Sequence, residues 1–180
     1  MTEVSINKQA RLSEHLTSSS MAALGHSSEL DGSHLTPHFT LAEMCKTSAK
    51  TADKNIPSHV HIENLKRLCG WLEMLRSEWN KRYGEGNDPI IINSGYRSPA
   101  VNKAVGGVAT SNHLTGCAAD IRVAGIEQLI RYATILLDIS DESQEDFDEL
   151  LIERSPKGSY WLHFAVRPTN NRRKVRLIQT

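Results

Sequence analysis

The chain has no excess charge of either sign: 21 lysines and arginines face 21 aspartates and glutamates. That balance removes the basic field a nucleic-acid binder uses and the acidic field that draws a cationic partner. No apolar run approaches the ~20 residues needed to cross a bilayer. The opening stretch, MTEVSINKQARLSEHL, lacks the apolar core of a secretory signal, so synthesis in the cytoplasm without a signal peptide is expected. Cysteine is scarce. Cys45, Cys69 and Cys117 are odd in number, widely spaced and form no C-x-x-C pair, which excludes a disulfide framework and leaves packed thiols. No internal repeat or low-complexity array is present.

What is there suits one domain with a tail, since 180 residues can bury a real core. Residues 1–36, with TSSS and GHSSELDGSH, read as a weakly ordered polar extension, and 37–180 as the domain. Thr40-Leu41-Ala42-Glu43 is a capping box that starts a short helix through about Thr47. Val60, Leu65, Leu68, Leu72, Leu75 and Trp79 recur at helical spacing and predict a long amphipathic helix that ends at Gly84. IIIN reads as a buried strand, SGYRSP as the loop after it, and PAVNKAV as a brief helix opened by Pro99. A strand (CAADIRV), a second amphipathic helix (IEQLIRYATILLDI) and two strands (DELLIE, YWLHFAV) around a Pro/Gly loop follow. RPTNNRR reads as a solvated turn, and KVRLI as a final edge strand. The expected fold is α+β, a small mixed or antiparallel sheet backed by two main amphipathic helices, and a monomer.

Strand alternation then points to chemistry. Ala119, Ile121 and Val123 share one face, which puts Asp120 on the other. Leu162, Phe164 and Val166 share a face, which leaves His163 on the opposite one. If the two strands are neighbours, Asp120 and His163 converge. His113 lies on the loop before Asp120, with Gly116 free to turn the chain back. Two imidazoles and one carboxylate with an open fourth position match a catalytic zinc site. Ordinary roles stay open for each: a strand histidine in the core, an aspartate at a turn, a loop cap. His59-Val60-His61 is a weaker pair, with no third ligand nearby and Ser58 placed as a helix cap.

SNHLTGCAAD fits the Ser-x-His-x-x-Gly-x-Ala-x-Asp signature, and it resembles the zinc D-alanyl-D-alanine carboxypeptidases, the LAS-type metallopeptidases. That group includes cell-wall carboxypeptidases, D-Ala-D-Ala dipeptidases and phage endolysin peptidases. SGYRSP and WLHFAV resemble the other two family blocks in the expected order, so the likeness spans roughly residues 38–168. It implies His113, Asp120 and His163 as Zn2+ ligands and Arg97 as the arginine that binds or polarises a substrate carbonyl or carboxylate. Many relatives carry an acidic general base three residues before the last histidine, where this chain has Tyr160. Glu149, Leu151 and Glu153 share one strand face, and a five-residue SPKGS loop would set Glu153 opposite Trp161 and diagonal to His163. Glu153 is therefore the expected base. A one-residue register slip would remove it from the site. Trp161 or Tyr96 is the expected aromatic wall of the cleft.

The resemblance implies zinc-dependent hydrolysis of a peptide bond in bacterial peptidoglycan stem peptides. With no signal segment, it suggests a phage or prophage lysis enzyme that meets the wall after release. The alternative from a different class is a non-catalytic, zinc-stabilised module that binds a peptide or the cell wall.

Overall fold

A computed structural model describes residues 33–179. The expectation for residues 1–32 lies outside the described residues. His34–Thr36, at the end of the stretch read as an extension, form strand β1 and pair antiparallel with β2, Phe39–Thr40. Helix α1, Leu41–Met44, starts as expected, with the Thr40 hydroxyl accepting from the Glu43 N–H at 3.2 Å. It stops one turn earlier than the sequence suggests.

Helix α2 runs His59–Arg82 and opens on Ser58, whose side chain accepts from the His61 N–H. Lys81 and Arg82 in its last turn complement the negative end of the helix dipole. Leu65, Leu68, Leu72, Leu75 and Trp79 are buried as their spacing predicts, but Val60 is 66% exposed. Five residues before Leu65, Val60 is rotated by roughly 140° from it at about 100° per residue. It therefore leaves the apolar stripe, and Ile62 packs against the core instead.

Strand β3 is Ile92–Ser94, followed by helix α3, Pro99–Ala104, strand β4, Ala118–Arg122, and helix α4, Ile126–Ser143. Strands β5 (Glu149–Arg154), β6 (Tyr160–Ala165) and β7 (Lys174–Gln179) complete a five-stranded sheet in the order β3-β4-β6-β5-β7. Every neighbouring pair is antiparallel except β5 with β7, which is parallel. IIIN is not buried throughout: Ile90 and Ile92 face inward while Ile91 is 41% exposed, the alternation of a half-buried edge strand.

The sheet has one apolar face. Ala119, Ile121, Leu150, Leu162 and Phe164 meet α2 and α4 there, with Trp71 5.5 Å and Phe147 5.6 Å from the Phe164 ring. Trp79 and Tyr132 join the two helices edge to face. The other face is free to carry polar chemistry.

The basic stretch after β6 is not a solvated turn. Arg172 bonds Asp148 through both Nε (2.8 Å) and a terminal nitrogen (2.7 Å), and Arg167 Nε lies 2.9 Å from the same carboxylate. Arg173 pairs with Asp141 and Asp146, and Lys174 with Glu149. Buried Asp148 needs these counter-charges, and they draw the loop inward.

Candidate active site

Asp120 and His163 are direct partners across β4 and β6. Because both alternate away from Ile121 and Leu162, their side chains meet on the face opposite the core. His163 Nδ1 lies 2.9 Å from Asp120 Oδ1.

His113 arrives from a 3-10 turn, Asn112–Thr115, that the sequence pattern did not reveal. Ser111 caps it by accepting from the His113 N–H at 3.3 Å, and Gly116 closes it at φ 71°. A Cβ on Gly116 would fall 2.6 Å from the His61 carbonyl oxygen, so both conformation and space require glycine there. His113 Nδ1 lies 2.6 Å from the Gly95 carbonyl oxygen, which can only accept; Nδ1 thus carries the proton and Nε2 is left free. Gly95 reaches that position because its α-carbon passes Met44 so closely that a Cβ would sit 2.3 Å from the Met44 carbonyl oxygen.

His113 Nε2, Asp120 Oδ1 and His163 Nδ1 form a triangle with sides of 3.2, 3.3 and 2.9 Å. Ligands at about 2.0–2.1 Å from a tetrahedral zinc are roughly 3.3 Å apart. The donor set, its burial and its spacing fit a zinc ion. Among the described residues, no other three histidines, cysteines or acidic side chains group in this way, and His59 and His61 join no such cluster.

The charges around the triangle are ordered. Burial pushes the His113 imidazole below its ordinary pKa, despite the attraction of Asp120. Burial opposes ionisation of Asp120, but His113 and His163 outweigh it and hold the carboxyl well below its usual range. Burial likewise opposes charging of His163, yet its contacts with Asp120 and Glu149 prevail and raise it to about 9. Arg97 bonds Asp120 Oδ2 and, through Nε, the Ser94 hydroxyl at 2.8 Å.

A cleft of about 940 Å³ opens over this triangle, and Arg97, Glu153, Trp161 and Arg172 are among its walls. The SPKGS hairpin has the expected length, and Glu153 pairs with Trp161 while Leu151 pairs with His163. Burial raises the Glu153 carboxyl above its ordinary pKa, and nearby Asp120 adds to that against the pull of His163. Tyr160 packs against the core on the sheet face opposite His163, so an acidic residue there would point away from the triangle. Of the two aromatics proposed as walls, Trp161 lines the cleft, while Tyr96 is buried beside His61. Cys117 is buried and its thiol is pushed up by burial. Glu149 had no assigned role in the sequence; it stands 3.6 Å from His163 Nε2.

A family model described as Peptidase M15 matches residues 37–139. The chain belongs to the peptidase M15 family. Comparison with curated proteins found no match. The matched span carries Arg97, His113 and Asp120 and ends before the strands that bring Glu153 and His163. M15 peptidases are zinc-dependent, so this member is a metallopeptidase with a peptide substrate, and its buried His-Asp-His group is the site suited to the ion. No helix among its described residues is long and apolar enough to cross a membrane.

Proposed function

We propose that this M15 peptidase hydrolyses a peptide bond in the stem peptides of bacterial peptidoglycan, as a carboxypeptidase or endopeptidase, in the setting of phage or prophage lysis. The reading is carried by the 2.9–3.3 Å triangle of His113, Asp120 and His163 at the base of an open cleft. His113, Asp120 and His163 would hold the zinc ion, which when bound would supply a Lewis acid and lower the pKa of water in the cleft. Glu153, on the neighbouring strand, accepts the proton from the attacking water and returns it to the leaving amine. Its partly buried carboxyl has the raised proton affinity a shuttle needs. Arg97 holds the outer oxygen of Asp120 and, from the cleft wall, offers its guanidinium to a substrate carboxylate or developing oxyanion.

The test is mass spectrometry of muropeptides after digestion with zinc-loaded protein. Loss of terminal D-alanine or opening of a cross-link identifies the bond, and H113A should leave the fragments unchanged. Sacculi and soluble muropeptides both left intact by the wild type would overturn the proposal in favour of a zinc-stabilised binding module.

A further inference from the structure

We infer that Asn112 and Glu149 form a positioning pair that presents Nδ1 of His163, and not Nε2, to the metal; the inference rests on the metal site proposed above. A metal-bound imidazole holds its orientation only if its other nitrogen has an acceptor. For His113 that acceptor is the Gly95 carbonyl. For His163 the group facing Nε2 is the Glu149 carboxylate, with Oε2 at an ion-pair distance of 3.6 Å. With Nδ1 donated to a cation, Nε2 must carry the ring's proton, and the carboxylate stands in front of it.

Glu149 is itself held by three side chains. Arg172 and Lys174 bond Oε1 at 2.9 and 2.8 Å, and Asn112 Nδ2 bonds Oε2, the oxygen facing His163, at 3.0 Å. The same Nδ2 reaches Asp148 Oδ2 at 2.8 Å, which uses both of its N–H bonds. Asn112 directly precedes His113. One amide therefore ties the turn that carries the first imidazole to the carboxylate that orients the second. The separation of the two ligating nitrogens, 3.3 Å, then depends on a contact that neither imidazole makes itself.

The experiment is zinc affinity by competition with a chromophoric chelator, together with the visible spectrum of the cobalt-substituted protein and far-UV circular dichroism as a check on folding. E149A should weaken zinc binding about 10–100-fold and alter the cobalt spectrum, while E149Q, which keeps an acceptor, should lose less. N112A should weaken zinc binding several-fold, and N112A/E149A should be no worse than E149A, because Asn112 acts through Glu149. Wild-type zinc affinity in folded E149A, or losses that simply multiply in the double variant, would overturn the inference. If E149A does not fold, E149Q decides on the same criterion: a loss of a few-fold supports it and an unchanged affinity overturns it. Folded wild type that takes up no zinc would overturn the metal site and this inference together. Equal affinity of wild type and the Glu149 variants would remove the inference alone.

Discussion

Gly95→Ala is the sharpest single perturbation, because one added methyl meets backbone on one side and a site carbonyl on the other. The new Cβ would sit 2.3 Å from the Met44 oxygen and 3.1 Å from the Met44 carbonyl carbon. Carbon needs about 3.5 Å, so the backbone must separate by roughly 1 Å. The Met44 oxygen has little freedom, since it accepts from the Tyr96 N–H at 2.7 Å. Overpacking of this kind costs about 1–3 kcal/mol. Moving the Gly95 carbonyl away from His113 Nδ1 leaves a buried donor unpaired, about 1–3 kcal/mol more. The middle of that range, about 4 kcal/mol, lowers the melting temperature of a chain this size by roughly 8–16 °C. Zinc affinity should fall at least about tenfold, because the lost carbonyl is what orients His113. Calorimetry of the apo protein and chelator competition measure the two effects separately. Gly70 on α2 is the matched control: a Cβ there meets nothing within 4 Å, and G70A should stabilise the helix by about 0.5–1 kcal/mol. G95A with wild-type melting and wild-type zinc affinity would refute the account of how His113 is held.

Three further outcomes are expected. Glu153→Gln should cut turnover by about 10²–10⁴-fold while zinc content and fold persist, and the acid limb of the wild-type kcat/KM profile should lie above the ordinary glutamate value of about 4.3; a limb at or below 4 would remove Glu153 as the base. Chelation should abolish hydrolysis, added zinc should restore it, and His113→Ala should leave a folded protein that zinc cannot restore; activity in metal-free protein would contradict the mechanism. Burial works against the charge on Asp148, but Arg172, Asn112 and Arg167 outweigh it and depress the carboxyl below its usual pKa. Its stabilisation is therefore complete above the unfolded value of about 3.9 and is lost as pH falls through the folded value. The stability gap between wild type and Asp148→Asn in urea should be widest near pH 7 and narrow below pH 4, and a gap that widened on acidification would reverse this sign.

Local patterns carried much of the fold. Alternation in CAADIRV and YWLHFAV put Asp120 and His163 on the polar faces of their strands, and counting the SPKGS loop set Glu153 opposite Trp161. Those inferences need only a period of two and one loop length. The pairing of β5 with β7 needed more, because its parallel register brings Lys174 to Glu149 across a long connection. Arg172 looked solvated for the same reason: Asp148, 24 positions away, is its counter-charge, and no local pattern marks that aspartate as buried. Asn112 lay inside the most informative motif, yet its target Glu149 is on β5, 37 positions away. Val60 was misplaced by treating a five-residue interval as helical repetition.

The two helices and the bulk of the apolar side chains back a single face of the five-stranded sheet, and the His113–Asp120–His163 triangle sits on the other. A catalyst walled in on both sides must admit its substrate whole, which restricts it to short, diffusible molecules. Here the cleft over the His113–Asp120–His163 triangle is open to one side, so a peptide need not be enclosed whole to reach it. Cleavage of tethered and free peptides at comparable rates is the kinetic sign of that openness, and strong preference for the free peptide would argue against it.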